Sequence, residues 1–167
     1  MKRVKSVSMD RNKTDSNVLE DYNVCINYYD DSTNTRSFSK IEKLELCDGN
    51  NKFKNRVIND IILPARDKMQ ELTSIEFEEC IFISPLDLNF FVLNAEVKFK
   101  KCIFLKDFSI LGYFKKTVSF SESTFIDSKV NFQECEFDHF VFDLITLNTC
   151  NVNFQETTFY SNNIYLR

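Results

Sequence analysis

Apolar residues in the second half of this chain follow one recurring phrase, apolar-x-Phe-x-x-small-x-Phe. It reads Ile75-Glu-Phe77-Glu-Glu-Cys80-Ile-Phe82, then Val97-Lys-Phe99-Lys-Lys-Cys102-Ile-Phe104, then Val118-Ser-Phe120-Ser-Glu-Ser123-Thr-Phe125. It returns as Val130-Asn-Phe132-Gln-Glu-Cys135-Glu-Phe137 and Val152-Asn-Phe154-Gln-Glu-Thr157-Thr-Phe159. One phrase used five times predicts a repeat architecture, in which each unit buries little alone and stacking makes the core. The step between the two Phe positions is five residues. That period fits neither a helix nor a flat strand. It fits a chain that turns a corner every five residues and sends two side chains inward per side, so that four sides close a square coil of about 20 residues, stacked at the ~4.8 Å spacing of strands. The step continues between phrases, as in Phe132, Phe137, Phe142, Leu147 and Val152, but Asp87 and Ser109 fall on it as polar exceptions.

The N-terminal part has another texture. Residues 1–16 are polar and charged, and predict a disordered basic tail. Asn23–Tyr29 and Lys40–Cys47 predict short strands around a polar loop. Over 50–63, Phe53, Val57, Ile58, Ile61 and Ile62 fall on one helical stripe and predict a helix, with a second helical turn after Pro64. The expected organisation is a tail (1–16), an α/β cap (17–73) and a repeat region (74–167). Asn148, Asn151, Asn153, Asn162 and Asn163 are expected at corners, where Asn tolerates left-handed backbone.

These residues carry a resemblance. The central Phe with Cys, Ser, Thr or Val two positions before it resembles the pentapeptide-repeat family, over about 90 residues. The resemblance implies a mainly β fold, a short right-handed quadrilateral β-helix, irregular because the slots depart from the family's usual Ala and Asp/Asn. A rival remains open. Leu72-x-x-Ile75-x-Phe77-x-x-Cys80-x-Phe82 also matches the leucine-rich-repeat phrase, and 22-residue spacings suit that solenoid as well. The 12-residue interval from Val118 to Val130 and the scarcity of Leu in the repeat slots count against it.

Composition narrows the function classes. Eighteen Phe stand beside two Gly and no Trp, and the formal net charge is −4. Residues 74–160 hold seven Lys against 13 Asp/Glu, so this region is acidic and direct nucleic-acid binding is not expected. No apolar run spans a bilayer and the N-terminus has no signal-like apolar core, so a cytoplasmic protein is expected, with no membrane partner. The six Cys form no C-x-x-C pair, and Cys80, Cys102 and Cys135 share a slot with Ser123 and Thr157. That slot predicts buried thiols rather than disulfides or a metal site.

Candidate chemistry is thin. His139 is the single His, and no nucleophile–base pattern or phosphate-binding loop is present, so neither a catalytic site, a cofactor nor a metal is expected. Glu76, Glu78 and Glu79 on one phrase, with Glu134, Glu136 and Asp138 on another, are candidates for a shared acidic face. The expected function is a non-catalytic protein-interaction scaffold whose partner is another protein, or a second copy through the C-terminal coil. The resemblance adds an alternative, a bacterial DNA mimic that regulates a type II topoisomerase or another nucleic-acid-binding protein.

Overall fold

The computed structural model describes residues 3–9, 24–29, 35–36, 41–161 and 164–166, with side chains from Glu42 to Ser161. The chain divides into two units, residues 1–42 and 43–167. In the first, β1 (Arg3–Met9), β2 (Val24–Tyr29) and β3 (Thr35–Arg36) form a three-stranded antiparallel sheet in that order. The strand expected at 23–29 is therefore present. The tail expected to be disordered holds β1 instead, because Arg3–Met9 pairs antiparallel with β2, with one register shift between Val4 and Ser6. The rest of 1–16 lies outside the described residues.

The second unit is a parallel β-solenoid of about five turns. Its strands are β4 (Ile41–Glu45), β5 (Gly49–Lys54), β6 (Val57–Ile62), β7 (Leu72–Glu78), β8 (Ile81–Phe82), β9 (Leu86–Leu93), β10 (Glu96–Lys100) and β11 (Ile103–Phe104). They continue as β12 (Phe108–Ser121), β13 (Thr124–Ile126), β14 (Lys129–Asn131), β15 (Glu136–Asp143), β16 (Thr146–Asn148), β17 (Asn151–Asn153), β18 (Thr158–Phe159) and β19 (Ile164–Leu166). The central Phe positions stack in register from turn to turn. Phe53 lies on Phe77, Phe77 on Phe99, Phe99 on Phe120, Phe120 on Phe142, and Phe142 on Leu166, which sets 21–24 residues per turn.

The helix expected over 50–63 is two strands, β5 and β6. Phe53 and Ile58 repeat the five-residue step of Phe77 and Phe82, and they stack on those residues. The β-branched Val57, Ile58, Ile61 and Ile62 suit a pleated surface better than a helix. The solenoid thus begins well before residue 74, and the α/β cap expected over 17–73 contains no α-helix among its described residues. The helical turn expected after Pro64 is a short 3₁₀ turn, Met69–Glu71.

Each phrase is one corner. The chain leaves a strand, places one residue in the left-handed region, and sends the next, small residue inward. The left-handed positions are Glu79, Lys101, Glu122, Glu134 and Glu156, with φ of 53–58°. Each is followed by the small slot: Cys80, Cys102, Ser123, Cys135 and Thr157. The slot donates a hydrogen bond to the main chain of the preceding turn. Cys80 Sγ reaches Phe53 O (3.5 Å), Cys102 Sγ reaches Phe77 O (3.4 Å), and Ser123 Oγ reaches Phe99 O (3.2 Å). Cys135 Sγ reaches Ile110 O (2.9 Å) and Thr157 Oγ1 reaches Phe132 O (2.7 Å). This explains a slot that accepts Cys, Ser and Thr: it needs a small side chain carrying a proton. Among the described Asn, only Asn55 has a positive φ. Asn148, Asn151 and Asn153 lie in strands, not at corners; Asn162 and Asn163 lie outside the described residues.

The phrases at 75, 97 and 118 form one corner ladder, and those at 130 and 152 form the opposite one. The 12-residue interval is therefore half a turn, with two phrases in the same coil. Among the described residues no side returns through an α-helix and the one 3₁₀ turn is three residues long, so the leucine-rich alternative does not describe this coil. Inside, the two Phe of each phrase build stacks. Phe77, Phe99 and Phe120 follow at 5.2 and 4.8 Å between ring centroids, within about 11° of parallel. Phe82, Phe104 and Phe125 follow at 4.7 and 4.4 Å. Edge-to-face contacts join the columns, such as Phe108 on Phe120 at 5.4 Å and 83°. Such ring pairs add roughly 0.5–1.5 kcal/mol each beyond their area burial.

Candidate functional site

The outer face of the first ladder carries alternating charge. Lys52 and Lys54 of β5 lie beside Glu76 and Glu78 of β7, and these lie beside Lys98 and Lys100 of β10. Glu76 bonds Lys52 at 3.1 Å and sits 3.9 Å from Lys98; Glu78 bonds Lys54 at 3.0 Å. Lys98 also pairs with Glu96, and its bond to that carboxylate holds the Glu96 pKa below its usual value. Cross-strand pairs of opposite charge stabilise such a sheet modestly. Glu79 is a left-handed corner residue whose N–H bonds Lys100 O at 2.8 Å.

Glu134, Glu136 and Asp138 lie on another side. In register with Glu76 and Glu78 the solenoid places Ser119 and Ser121 of β12, then Val141 and Asp143 of β15. Glu136 instead faces Tyr113. The expected convergence of six carboxylates does not occur, because the phrases at 75 and 130 occupy opposite corners. Glu134 is itself a corner residue, with φ 58°.

What Glu136 and Asp138 do form is a tyrosine–carboxylate cluster. Tyr113 Oη donates to Asp138 at 3.1 Å, and Tyr160 Oη donates to Glu136 at 2.6 Å. The two rings meet edge-on at 5.9 Å. Desolvation and then the Asp138 bond raise the Tyr113 pKa; the bond to Glu136 is the main cause raising that of Tyr160. Both phenols therefore stay protonated donors. Tyrosine was not singled out from the sequence. The 24-residue separation of Tyr160 from Glu136, one turn, was the available signal.

Among the described residues the thiols are free. Cys80, Cys102 and Cys135 are fully buried, Cys150 is half-buried and Cys47 is exposed. The side chain of Cys25 lies outside the described residues. Burial pushes the Cys135 thiol up to about 12 and that of Cys102 well above its ordinary value. His139 is exposed beside Thr117. No group of His, Cys, Asp or Glu suited to a metal ion occurs among the described residues, and no described helix is long and apolar enough to cross a membrane. Comparison of the chain with protein-family models, curated proteins and solved structures gives no significant match.

Proposed function

We propose that this chain is a non-catalytic protein-interaction scaffold of the pentapeptide-repeat type. The observation that carries the reading is the tyrosine–carboxylate cluster on an otherwise periodic surface. Tyr113, Tyr160, Glu136 and Asp138 form a pre-ordered patch with aromatic area and charge, the kind of surface that anchors protein partners. The corner phrase, with its five-residue step and small proton-bearing slot, supports the pentapeptide-type assignment. The alternating Lys and Glu rows on β5, β7 and β10 favour a protein partner over DNA mimicry, because phosphate-like recognition needs an unbroken row of negative charge.

The C-terminal turn is a second contact surface in this reading. Strands β16 and β17 end the two large sheets, and Leu144 and Leu147 are exposed there. Unpaired strand edges favour association with another chain or copy.

A pull-down from bacterial lysate tests the proposal, comparing the parent chain with a Glu134→Lys, Glu136→Lys, Asp138→Lys variant. One dominant prey, lost in the variant, supports it. A prey retained undiminished by the variant moves the interface elsewhere. Light scattering at micromolar concentration tests self-association, which a strictly monomeric protein refutes.

A further inference from the structure

The coil changes shape part-way along its third side, and the change opens a cleft. In the earlier turns this side is continuous strand, β9 (Leu86–Leu93) and the first half of β12, with one register shift where Phe91 (φ 53°) lies against Gly112 (φ 141°). In the next turn the strand stops at Asn131 and the chain turns at Gln133–Glu134, closed by Cys135 N–H on Phe132 O at 3.2 Å. Backbone pairing between β12 and this turn covers Phe108–Val130 and Ser109–Asn131, then resumes at Tyr113–Glu136. Three residues of β12, Ile110–Gly112, therefore face four, Phe132–Cys135. Two adjoining cavities, of about 460 and 310 Å³, lie along this step and share Asp87, Ser109, Asn131 and Gln133 in their walls. Their sizes are those of small-molecule sites.

The lining is a row of hydrogen-bonding groups. Asp87, Ser109, Asn131 and Asn153 succeed one another at 22-residue intervals, so three steps of the ~4.8 Å strand spacing give a row about 14 Å long. The far end is pre-ordered: Asn153 Nδ2 donates to Asn131 Oδ1 at 3.0 Å and to Gln133 Oε1 at 3.3 Å. The near end is uncommitted. The side chains of Asp87, Ser109 and Lys129 make no hydrogen bond or ion pair among the described residues, and the Asn131 amide N–H groups have no acceptor. One side of the cleft thus offers a carboxylate, a hydroxyl, an amide and an ammonium. The ring of Pro85 and the stem of Lys129 add apolar edges.

We propose that this cleft binds a neutral oligosaccharide. A ligand with many hydroxyls both donates and accepts, as this mixed row requires, and its C–H faces suit the apolar edges. A phosphorylated or anionic chain would meet Asp87, Asp107 and Glu134 with one Lys. An extended peptide adding a strand needs an open sheet edge; both edges of β12 and β14 are taken at Ser109 and Asn131, and a strand added at the free edge of β9 would lie beyond Asp87, away from Asn131 and Asn153. The site is separate from the tyrosine–carboxylate cluster and does not depend on the scaffold reading.

The test is a titration of the ¹⁵N-labelled full chain with gluco-, manno-, galacto- and chito-oligosaccharides at millimolar concentration. The signals are the side-chain amides of Asn131, Gln133 and Asn153. Saturable shifts of these three with at least one sugar are expected. Asp87→Asn is expected to weaken binding about tenfold, because an amide oxygen accepts a sugar hydroxyl more weakly than a carboxylate does. Ser109→Tyr fills the cleft from a half-exposed position and is expected to abolish the shifts while the thermal melt stays parental. The proposal is overturned by no saturable shift with any of these sugars. It is equally overturned by sugar shifts that survive Ser109→Tyr, or by an uncharged peptide moving these amides where the sugars do not.

Discussion

Ser123 offers the sharpest test of how the corners are held. Its hydroxyl is fully buried and has two duties. It donates to a carbonyl, with Phe99 O and Ser121 O both at 3.2 Å, and it accepts the Cys102 N–H at 3.1 Å. Cys102 N–H has no other acceptor among the described residues. Ser123→Ala therefore leaves a buried donor without a partner, at a cost of about 1–3 kcal/mol, whereas the small volume change adds little. Taking about 2 kcal/mol, the melting temperature of a unit this size falls by about 4–8 °C. Ser123→Cys restores the proton and a weak acceptor in a slot that holds Cys in two neighbouring phrases, so its loss is expected to be less than half as large. Thermal and urea melts by circular dichroism give the order parent, Cys, Ala. Hydrogen exchange reports the Cys102 amide, which is expected to exchange faster in the Ala variant. An Ala variant as stable as the parent, with Cys102 still protected, would show that the hydroxyl does not hold the corner.

Four further outcomes follow from the same geometry. Gly112 has φ +141°, and a Cβ there would lie 3.1 Å from both N and O of Phe91, so Gly112→Ala is expected to lose about 1–3 kcal/mol in a urea melt. Leu144 holds a left-handed corner (φ 54°) while exposed, so Leu144→Asn is expected to gain about 0.5–1 kcal/mol in the same assay. Native protein treated with a thiol reagent in a Cys25→Ser background is expected to react rapidly at Cys47, slowly at Cys150, and at Cys80, Cys102 and Cys135 only after unfolding. For pH, the Cys135 thiol rises from an ordinary 9.0 to about 12 on folding. Its neutral form is kept by the fold, so its contribution is complete below pH 9 and is lost as pH rises from 9 toward 12. Cys135→Ser is expected to flatten that alkaline loss in melts recorded across the window.

The repeat phrase made the inward Phe columns and the small slot readable, because identical residues meet their copies at a fixed interval. Two things were hidden. Over 50–63 the five-residue step occurs once, between Phe53 and Ile58, and a single step looks the same as part of a helical stripe; only stacking on Phe77 and Phe82 decides it. On the third side, Leu86, Leu88 and Phe90 turn inward by simple alternation, which is why Asp87 and Ser109 broke the five-residue count. Those two residues face out, into the cleft. The acidic residues were legible as outward-facing, but their side of the coil was not. That depends on recognising the 12-residue interval as half a turn, which puts Glu76 and Glu134 at opposite corners.

Register that is kept at the central Phe positions from turn to turn also makes the solenoid extensible. One complete turn, such as residues 97–117, begins and ends at equivalent points of the coil: its Val97 stacks on Ile75, and Val118 stacks on Val97. A duplicated turn spliced at Val118 would meet the same carbonyls below and present the same ones above. The solenoid unit would lengthen by a single strand spacing, about 4.8 Å, and the sites on either side of the splice would move apart by that step without changing the angle each makes to its own turn. Length in this architecture is a digital quantity, set by whole turns of chain, so the molecule is built as a ruler whose graduations can be counted in its sequence.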